Sequence, residues 1–464
     1  MSMPESTTIL IVGAGPAGLA TALSLIHHNF RDFVIVDAVD KGENTSRALV
    51  VHAATMEALD SIGCGEEVDM LGRKCEEVIF GTRDSILVHA DLAGLKGVTR
   101  YPYGVIMPQH MTESVLGKKL ASFGITVHRP CKVVNLRRNA KDNLYTDVWF
   151  DNGKTIRAKY VIGADGARSA VRTCAGIGFT DPKSGIGDDV PNLRNFVLAD
   201  VSFDGGDPEQ FGFRGTMSPD SFFLCVACPR SFNDFIAAES GKKVEETIYR
   251  IGSGVPIADG EPPHAPNREY LQVLVNRHGP SFMSSDKTVN PNPMRIKDTF
   301  WSTRFRTHSA IADKAFIRLG NPNDIEIHEN LAVPKEGGVI VLVGDAAHIH
   351  SPAGGQGMNL GLRDGVFLGE ALVKHAKAFE TQPPTVDTDV ILRRFAEARH
   401  IRALEVIGFT KKLLFIAGMH YDDKAFWWLP FGSAFLRDWV LWGAFKFGLV
   451  RQMMAWELSG LGRR

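Results

Sequence analysis

The sequence predicts an α/β fold: a Rossmann-like domain with an inserted, largely antiparallel β-sheet domain and a C-terminal helical region. Three observations predict it. Short, continuously apolar runs at Thr8–Val12, Phe33–Val36, Tyr160–Ile162 and Val339–Val343 suit strands buried on both faces. A glycine-rich turn follows the first run and opens a helix, the signature of a βαβ unit. From about residue 180 to 295, alternating segments lie between Pro-, Gly- and Asp-rich loops, as in an antiparallel sheet.

In chain order, the first strand leads to a helix from Pro16 to about His28 and then to the Phe33–Val36 strand. A loop through Lys41–Ser46 and a helix near Ala53–Ile62 follow. Strand-like segments at Val78–Phe80 and Ile86–Ala90 read as an excursion into the second domain. The chain returns through a helix at Met111–Phe123 and strands near Val127–Leu136 and Tyr145–Phe150. Alternating segments at Phe196–Phe203, Ser221–Cys228 and Tyr270–Arg277 build the inserted sheet. After the 339–343 strand come a helix near Leu360–Lys377, a Pro/Thr-rich linker at 381–388 and a largely helical remainder. This divides the chain into a discontinuous Rossmann-like domain (1–75, 100–180 and 296–378), a β-sheet domain (76–99 and 181–295) and a helical region (379–464).

Bulk properties narrow the function classes. The chain has 464 residues, 44% of them hydrophobic and 23% charged, with a net charge of −1, so no broad basic field favours nucleic acid. Its six cysteines are sparse for a disulfide framework and fit a reducing compartment. Cys225 and Cys228 form a CxxC pair inside an apolar strand-like run with no second pair, so they are read as core and no metal site is assigned. There is no cleavable leader and no apolar run long enough to span a bilayer, which places the expectation in the cytoplasm. The Trp- and Phe-rich stretch 425–449 reads as an amphipathic packing pair, with contact to a membrane surface or an apolar substrate as the alternative.

The chemistry-bearing signal starts at Gly13-Ala14-Gly15-Pro16-Ala17-Gly18, a GxGxxG turn between strand and helix. Gly13 permits the tight turn, Gly15 lets the backbone approach a pyrophosphate, and Gly18 permits close helix–strand packing. Free N–H groups and the positive helix end attract phosphate. Asp37, at the end of the second strand, can accept ribose hydroxyl protons. These features indicate a dinucleotide without choosing which. A second anion- and ring-binding segment lies at Gly344-Asp345-Ala346-Ala347-His348, continuing through Ser351-Pro352-Ala353-Gly354-Gly355-Gln356-Gly357-Met358-Asn359.

Together with Tyr160–Gly166 and its Asp-Gly pair, Arg47-Ala48 before His52, and Gln109 before a helix, these segments resemble the group A flavoprotein monooxygenases of the para-hydroxybenzoate hydroxylase fold. The likeness spans residue 8 to roughly 408 and is greatest to phenol and polyketide hydroxylases. The resemblance implies FAD as the resident cofactor. It implies that Asp345 meets the ribityl or pyrophosphate region, that N–H groups around Gly357, Met358 and Asn359 serve the ring, and that Gly344 and Gly355 also bind the cofactor. Arg47 and Gln109 are implied near the phosphates and ribityl chain, Asp165 in FAD and NAD(P)H binding, and Pro352 at the flavin's reactive edge.

The activity it implies is hydroxylation of a phenolic or polyketide-like aromatic. NAD(P)H, a transient reductant, reduces FAD; O2 adds at flavin C4a; and the hydroperoxide delivers one oxygen atom. Gly185-Ile186-Gly187 and Gly252-Ser253-Gly254 lack a strand–turn–helix setting, so no second Rossmann unit holds the nicotinamide. His52, Tyr103 and His110 are candidate bases, none of them assigned. The same fold leaves open alkene epoxidation of an apolar substrate, oxidase or halogenase chemistry, and a non-catalytic flavin sensor, although Trp427-Trp428-Leu429-Pro430 lacks the halogenase Trp spacing. Three departures stand out. Ala54 occupies a place where relatives often carry an Arg, and Phe316–Glu336 is an extra segment. The sequence also stops near Leu461, where the phenol hydroxylase branch continues into a thioredoxin-like domain.

Overall fold

The computed structural model describes residues 3–40, 48–182, 195–205, 212–218, 221–241, 243–306, 308–320, 337–382, 387–419 and 432–463. The chain opens with β1 (Ser6–Val12), α1 (Pro16–His27), β2 (Phe33–Val36), α2 (Ala53–Ser61) and α3 (Gly65–Leu71). A hairpin follows, β3 (Glu77–Gly81) and β4 (Ile86–Asp91), then α4 (Gln109–Ser122). Next come β5 (Val133–Arg138), β6 (Thr146–Phe150), β7 (Thr155–Gly163) and α5 (Ala170–Cys174). The middle of the chain holds β8 (Asn195–Asp204), β9 (Phe213–Met217), β10 (Phe222–Ala227), α6 (Arg230–Ser240), β11 (Tyr249–Val255), α7 (Arg268–His278) and β12 (Arg295–Arg306). It closes with β13 (Phe316–Arg318), β14 (Val339–Leu342), α8 (Gln356–Thr381), α9 (Val390–Ala417), α10 (Ser433–Ala444) and α11 (Gly448–Ser459).

The first sheet runs β13-β14-β7-β1-β2, with β6 beside β7 and β5 beside β6. β14, β7, β1 and β2 are parallel, so their carboxyl ends share one edge. Side-chain alternation explains their unbroken apolar runs. Ile9, Ile11, Ile35, Ile162, Val339 and Val341 enter one core, against α1, α4 and α8. Leu10, Val12, Val34, Val161, Ile340 and Leu342 enter another core, with strands β5 and β6, on the opposite face. Each such side chain withdrawn from water stabilises the fold by about 1.5–3 kcal/mol before chain entropy is counted.

The second sheet runs β12-β8-β11-β10-β9-β3-β4 and is antiparallel except where β9 meets β3. The early hairpin therefore joins strands that follow it by more than a hundred residues. The sequence-drawn boundary at 296 falls at the start of β12, whose length pairs with β8 in this second sheet.

Some expectations require correction. Tyr270–Arg277 is helical, not a strand: Leu271, Leu274, Val275 and His278 are buried with helical spacing, and Asn267 accepts the Tyr270 N–H as N-cap. The strand expected from Val127 begins at Val133, beyond Pro130, which has no N–H to give a ladder. The helix expected from Leu360 begins at Gln356, directly after the left-handed pair Gly354 (φ +78°) and Gly355 (φ +62°). Gly252–Gly254 lie inside β11. Gly185–Gly187, Trp427–Pro430 and, in the extra segment, residues 321–336 lie outside the described residues; Phe316–Arg318 forms β13 beside β14.

Candidate functional site

The four parallel carboxyl ends meet at one cleft edge, where open α/β sheets bind ligands. Gly13 has φ +104°, and a Cβ there would lie 2.3 Å from the Ala164 carbonyl oxygen, so the turn can be built here with glycine. A Cβ on Gly18 would lie 1.9 Å from the Gly13 carbonyl oxygen, which fixes how closely α1 follows the turn. At Gly15 nothing among the described residues stands within 4 Å of a Cβ position, so the turn faces open space there. Pro16 and Ala17 open α1, whose first N–H groups point out of the helix end without a side-chain cap.

Asp37 directly follows β2 and reaches back to the turn. Its Oδ2 accepts the Ala14 N–H at 2.6 Å and its Oδ1 the Val39 N–H at 3.0 Å, with Arg129 3.7 Å away. The carboxylate thus braces the glycine turn from the end of the second strand. Gln109 begins α4; its N–H donates to the Ala48 carbonyl and its side chain to Glu113. Burial raises the Glu113 carboxyl above its ordinary range. Arg47 falls outside the described residues, although its neighbour Ala48 is tied to Gln109 in this way.

Asp165 follows β7, with its backbone N 2.8 Å from a Cβ placed on Gly13. Its carboxylate accepts from Ser169 Oγ (2.5 Å) and from the Ala170 and Val171 N–H groups, so it caps α5 beside the cleft. Burial raises its pKa despite these donors. Arg172 of α5 then donates to the Ala346 carbonyl, linking this end to the Gly344–Ala346 turn.

Gly344 (φ +58°) lies so near α1 that a Cβ would sit 3.0 Å from that of Ala17. Asp345 follows, exposed on a single 3₁₀ turn. Beneath it is an arrangement that the sequence reading missed. Asp364 of α8 accepts the Gly344 N–H (3.2 Å), His348 Nε2 (2.6 Å) and Arg399 Nε (2.6 Å). Burial alone would raise the Asp364 carboxyl, but Arg399 and His348 hold it well below the usual range.

The Pro352–Gly355 loop enters α8 through its left-handed glycines. Asn359 Nδ2 donates to the Val50 and Gly355 carbonyls, and its Oδ1 accepts the His52 N–H at 2.8 Å. This side chain ties the loop to the start of α2. Gly357 leaves room for His350, whose ring would be 3.7 Å from a Cβ there, while Met358 is buried in the core behind. Two polar atoms here have no hydrogen-bond partner among the described residues: Oε1 of the fully buried Gln356, and His350 Nε2. His350 Nδ1 donates to the Ser351 carbonyl, and burial lowers its pKa to about 4, so Nε2 is an acceptor at neutral pH. Neither residue was singled out from sequence; the His348-Ile349-His350 spacing before a glycine loop was the available signal.

Two of the candidate bases have other partners: Tyr103 Oη donates to Asp69, and His52 Nδ1 lies 3.3 Å from Gln356 Nε2. The His110 ring is tilted against Phe235 at 4.5 Å, and neither of its buried nitrogens has a hydrogen-bond partner among the described residues. Opposite the loop, Phe196 of β8, Phe305 of β12 and Leu414 of α9 form a buried cluster, with Leu198, Phe222 and Ala353 partly buried against it. Phe196 lies 5.0 Å from Phe222 and 5.5 Å from Phe305, centroid to centroid. An aromatic wall of the second sheet thus abuts the residue next to Pro352.

Comparison with known proteins agrees with this geometry. A family model described as "FAD binding domain" matches residues 6–197 and 278–382. A 12-dehydrotetracycline 5-monooxygenase/anhydrotetracycline 6-monooxygenase of Streptomyces rimosus is 30% identical over 407 residues, covering 86% of this chain and 69% of the relative. A pentachlorophenol 4-monooxygenase of Sphingobium chlorophenolicum is 26% identical over 416 residues, covering 87% and 66%. The first curated relatives are longer proteins, of which the chain spans 55%, 69% and 66%. The solved p-nitrophenol 4-monooxygenase of Pseudomonas putida DLL-E4 shares the fold, with TM-score 0.73 over 99% of both chains at 21% identity.

Proposed function

Because this chain belongs to the FAD binding domain family and has the group A flavoprotein monooxygenase fold, we propose that it is a monooxygenase that uses NAD(P)H and O2 to hydroxylate a phenolic or polyketide-like aromatic. The observation that carries this reading is the aromatic wall, Phe196–Phe222–Phe305, set against Ala353 of the flavin loop. The cluster itself is buried, but half-buried Phe222 and Ala353 at its edge would give a flat, apolar ring a surface to meet, and ligand sites favour the seam between two sheets. The relatives that match act, by their names, on tetracycline intermediates and a chlorinated phenol, which suits the same chemistry.

The residues present fit FAD. Open space at Gly15 and the uncapped start of α1 would receive the pyrophosphate; Gln109, and by the family resemblance Arg47, would serve the phosphates and ribityl chain. Asp37 would take the ribose, Asp345 the ribityl–pyrophosphate region, and the Gly355–Asn359 backbone the ring, with Asp165 at the neighbouring strand end. Gln356 Oε1 and His350 Nε2 supply acceptors that a bound group could satisfy. When bound, FAD supplies electron transfer from NAD(P)H and activation of O2. The chain's own work is to hold the substrate on the aromatic wall, set its orientation at Pro352 and keep water out.

The test follows NAD(P)H and oxygen consumption of the purified holoprotein with phenols and fused-ring polyketides, with products weighed. Phe222→Ala should raise KM by roughly tenfold or more, the loss of about 1.4 kcal/mol or more of ring contact, while FAD content stays intact. Halide incorporation, or peroxide without an oxygenated product, would replace this reading by halogenase or oxidase chemistry.

A further inference from the structure

The face of α10 and α11 is built inside out. In α10 the cation Arg437 is 5% exposed, paired with Asp438 and donating to the carbonyls of Ile416 and Met419 at the end of α9. Trp439 and Val440, by contrast, are 61% and 59% exposed. Across the turn, Phe447, Leu449 and Met453 are 68%, 76% and 63% exposed. Packing does hold the pair on the protein: Phe445 is buried with Leu87 and Val88 of β4 and Met217 of β9. The outer face is therefore a fixed apolar surface, not a loose end. Contiguous exposed Trp, Phe and Leu cost solubility and mark a binding surface.

Charge decides what covers it. From Ser433 to Met453 the exposed residues are apolar, Gly448, Gln452 or the cations Lys446 and Arg451; none is acidic. Lys446 Nζ lies 3.5 Å from the centroid of the Trp442 ring, keeping its charge at the rim of the apolar face. A two-fold dimer through this face would set cations against a patch holding no exposed acid to pair with them. An anionic bilayer surface satisfies both features: aromatic side chains enter the headgroup boundary while Lys and Arg meet lipid phosphates. Among the described residues, no helix is long and apolar enough to cross a membrane.

We propose that α10 and α11 dock the protein peripherally on an anionic lipid surface, with Trp439, Phe447 and Leu449 inserted and Lys446 and Arg451 on the headgroups. This is independent of the reaction proposed above. It does place the edge of the second sheet, through β4, beside a lipid phase in which apolar aromatics concentrate.

The experiment is flotation of the full-length holoprotein with phosphatidylcholine vesicles, with and without phosphatidylserine. Binding is expected to vesicles that contain phosphatidylserine and to weaken with added salt. Lys446→Gln with Arg451→Gln should weaken it by about thirtyfold, roughly fivefold for each cation. Trp439→Ser with Leu449→Ser should abolish it, with melting temperature and FAD content unchanged. The double cation variant, changed on the surface alone, keeps the test sound if the apolar variant fails to fold. Failure to float with either vesicle would overturn the proposal, as would binding indifferent to phosphatidylserine. So would a lipid-free dimer, by light scattering, that the Trp439 and Leu449 changes split.

Discussion

Asp345 is an exposed carboxylate on one 3₁₀ turn directly after β14. Asp345→Ala should therefore fold with an unchanged melting temperature and purify deficient in FAD; full yellow occupancy would contradict its assignment. Asp364 is the converse, a buried hub on which Gly344, His348 and Arg399 converge. Removing one partner of such a network is expected to cost about 3–5 kcal/mol, so Asp364→Asn should lower stability sharply in denaturant melts. Its folded-state pKa lies below the ordinary carboxylate value, as does that of Asp389, held down by Arg318 and His375 against burial. Both therefore stabilise the fold above the ordinary carboxylate range, and this contribution fades as pH falls below about 4. Melting temperature followed downward through that range should drop less steeply in Asp364→Asn than in the parent. Asp37 and the glycines were legible in sequence because turn chemistry is local. Asp364 was not, because Gly344 and Arg399 reach it only after α8 and α9 pack.

At the scale of elements, the glycine turn, α1 and α8 act as one piece. Gly18 against Gly13, Gly344 against Ala17, and Gly365 and Gly369 against α1 all lack room for a side chain. Gly18→Ala should destabilise the protein by roughly 1–3 kcal/mol and loosen FAD together, read by melting temperature and flavin release. The parallel strands of the first sheet were legible because a short, unbroken apolar run suits a strand covered on both faces. α7 was misread because its Tyr, Leu and Val content suits strands, while its buried spacing at Leu271, Leu274, Val275 and His278 was the stronger signal. The pairing of β9 with β3 was beyond a local reading, since a parallel contact at that separation leaves no mark on either segment.

For the whole molecule, one sheet carries the glycine turn, the other an aromatic cluster, and Ala353 of the Pro352–Gly355 loop packs against that cluster. The family resemblance was legible because separated motifs at Gly13–Gly18, Asp165 and Gly344–Asn359 agree on one cofactor, and the match over 6–197 and 278–382 bears it out. The aromatic wall was not legible, because Phe196, Phe222 and Phe305 come from three strands whose order sequence does not encode. The inside-out face of α10 and α11 was seen as apolar, but its direction depends on the buried Arg437. The proposed reaction inserts an atom of O2 into an aromatic ring. Turnover under heavy-isotope oxygen gas, with NAD(P)H and a phenolic or polyketide substrate, tests it most directly. Hydroxylation by the proposed route gives a product carrying one heavy oxygen atom drawn from the gas; a product whose new oxygen comes from water, or reduced oxygen released without any product, would rule it out.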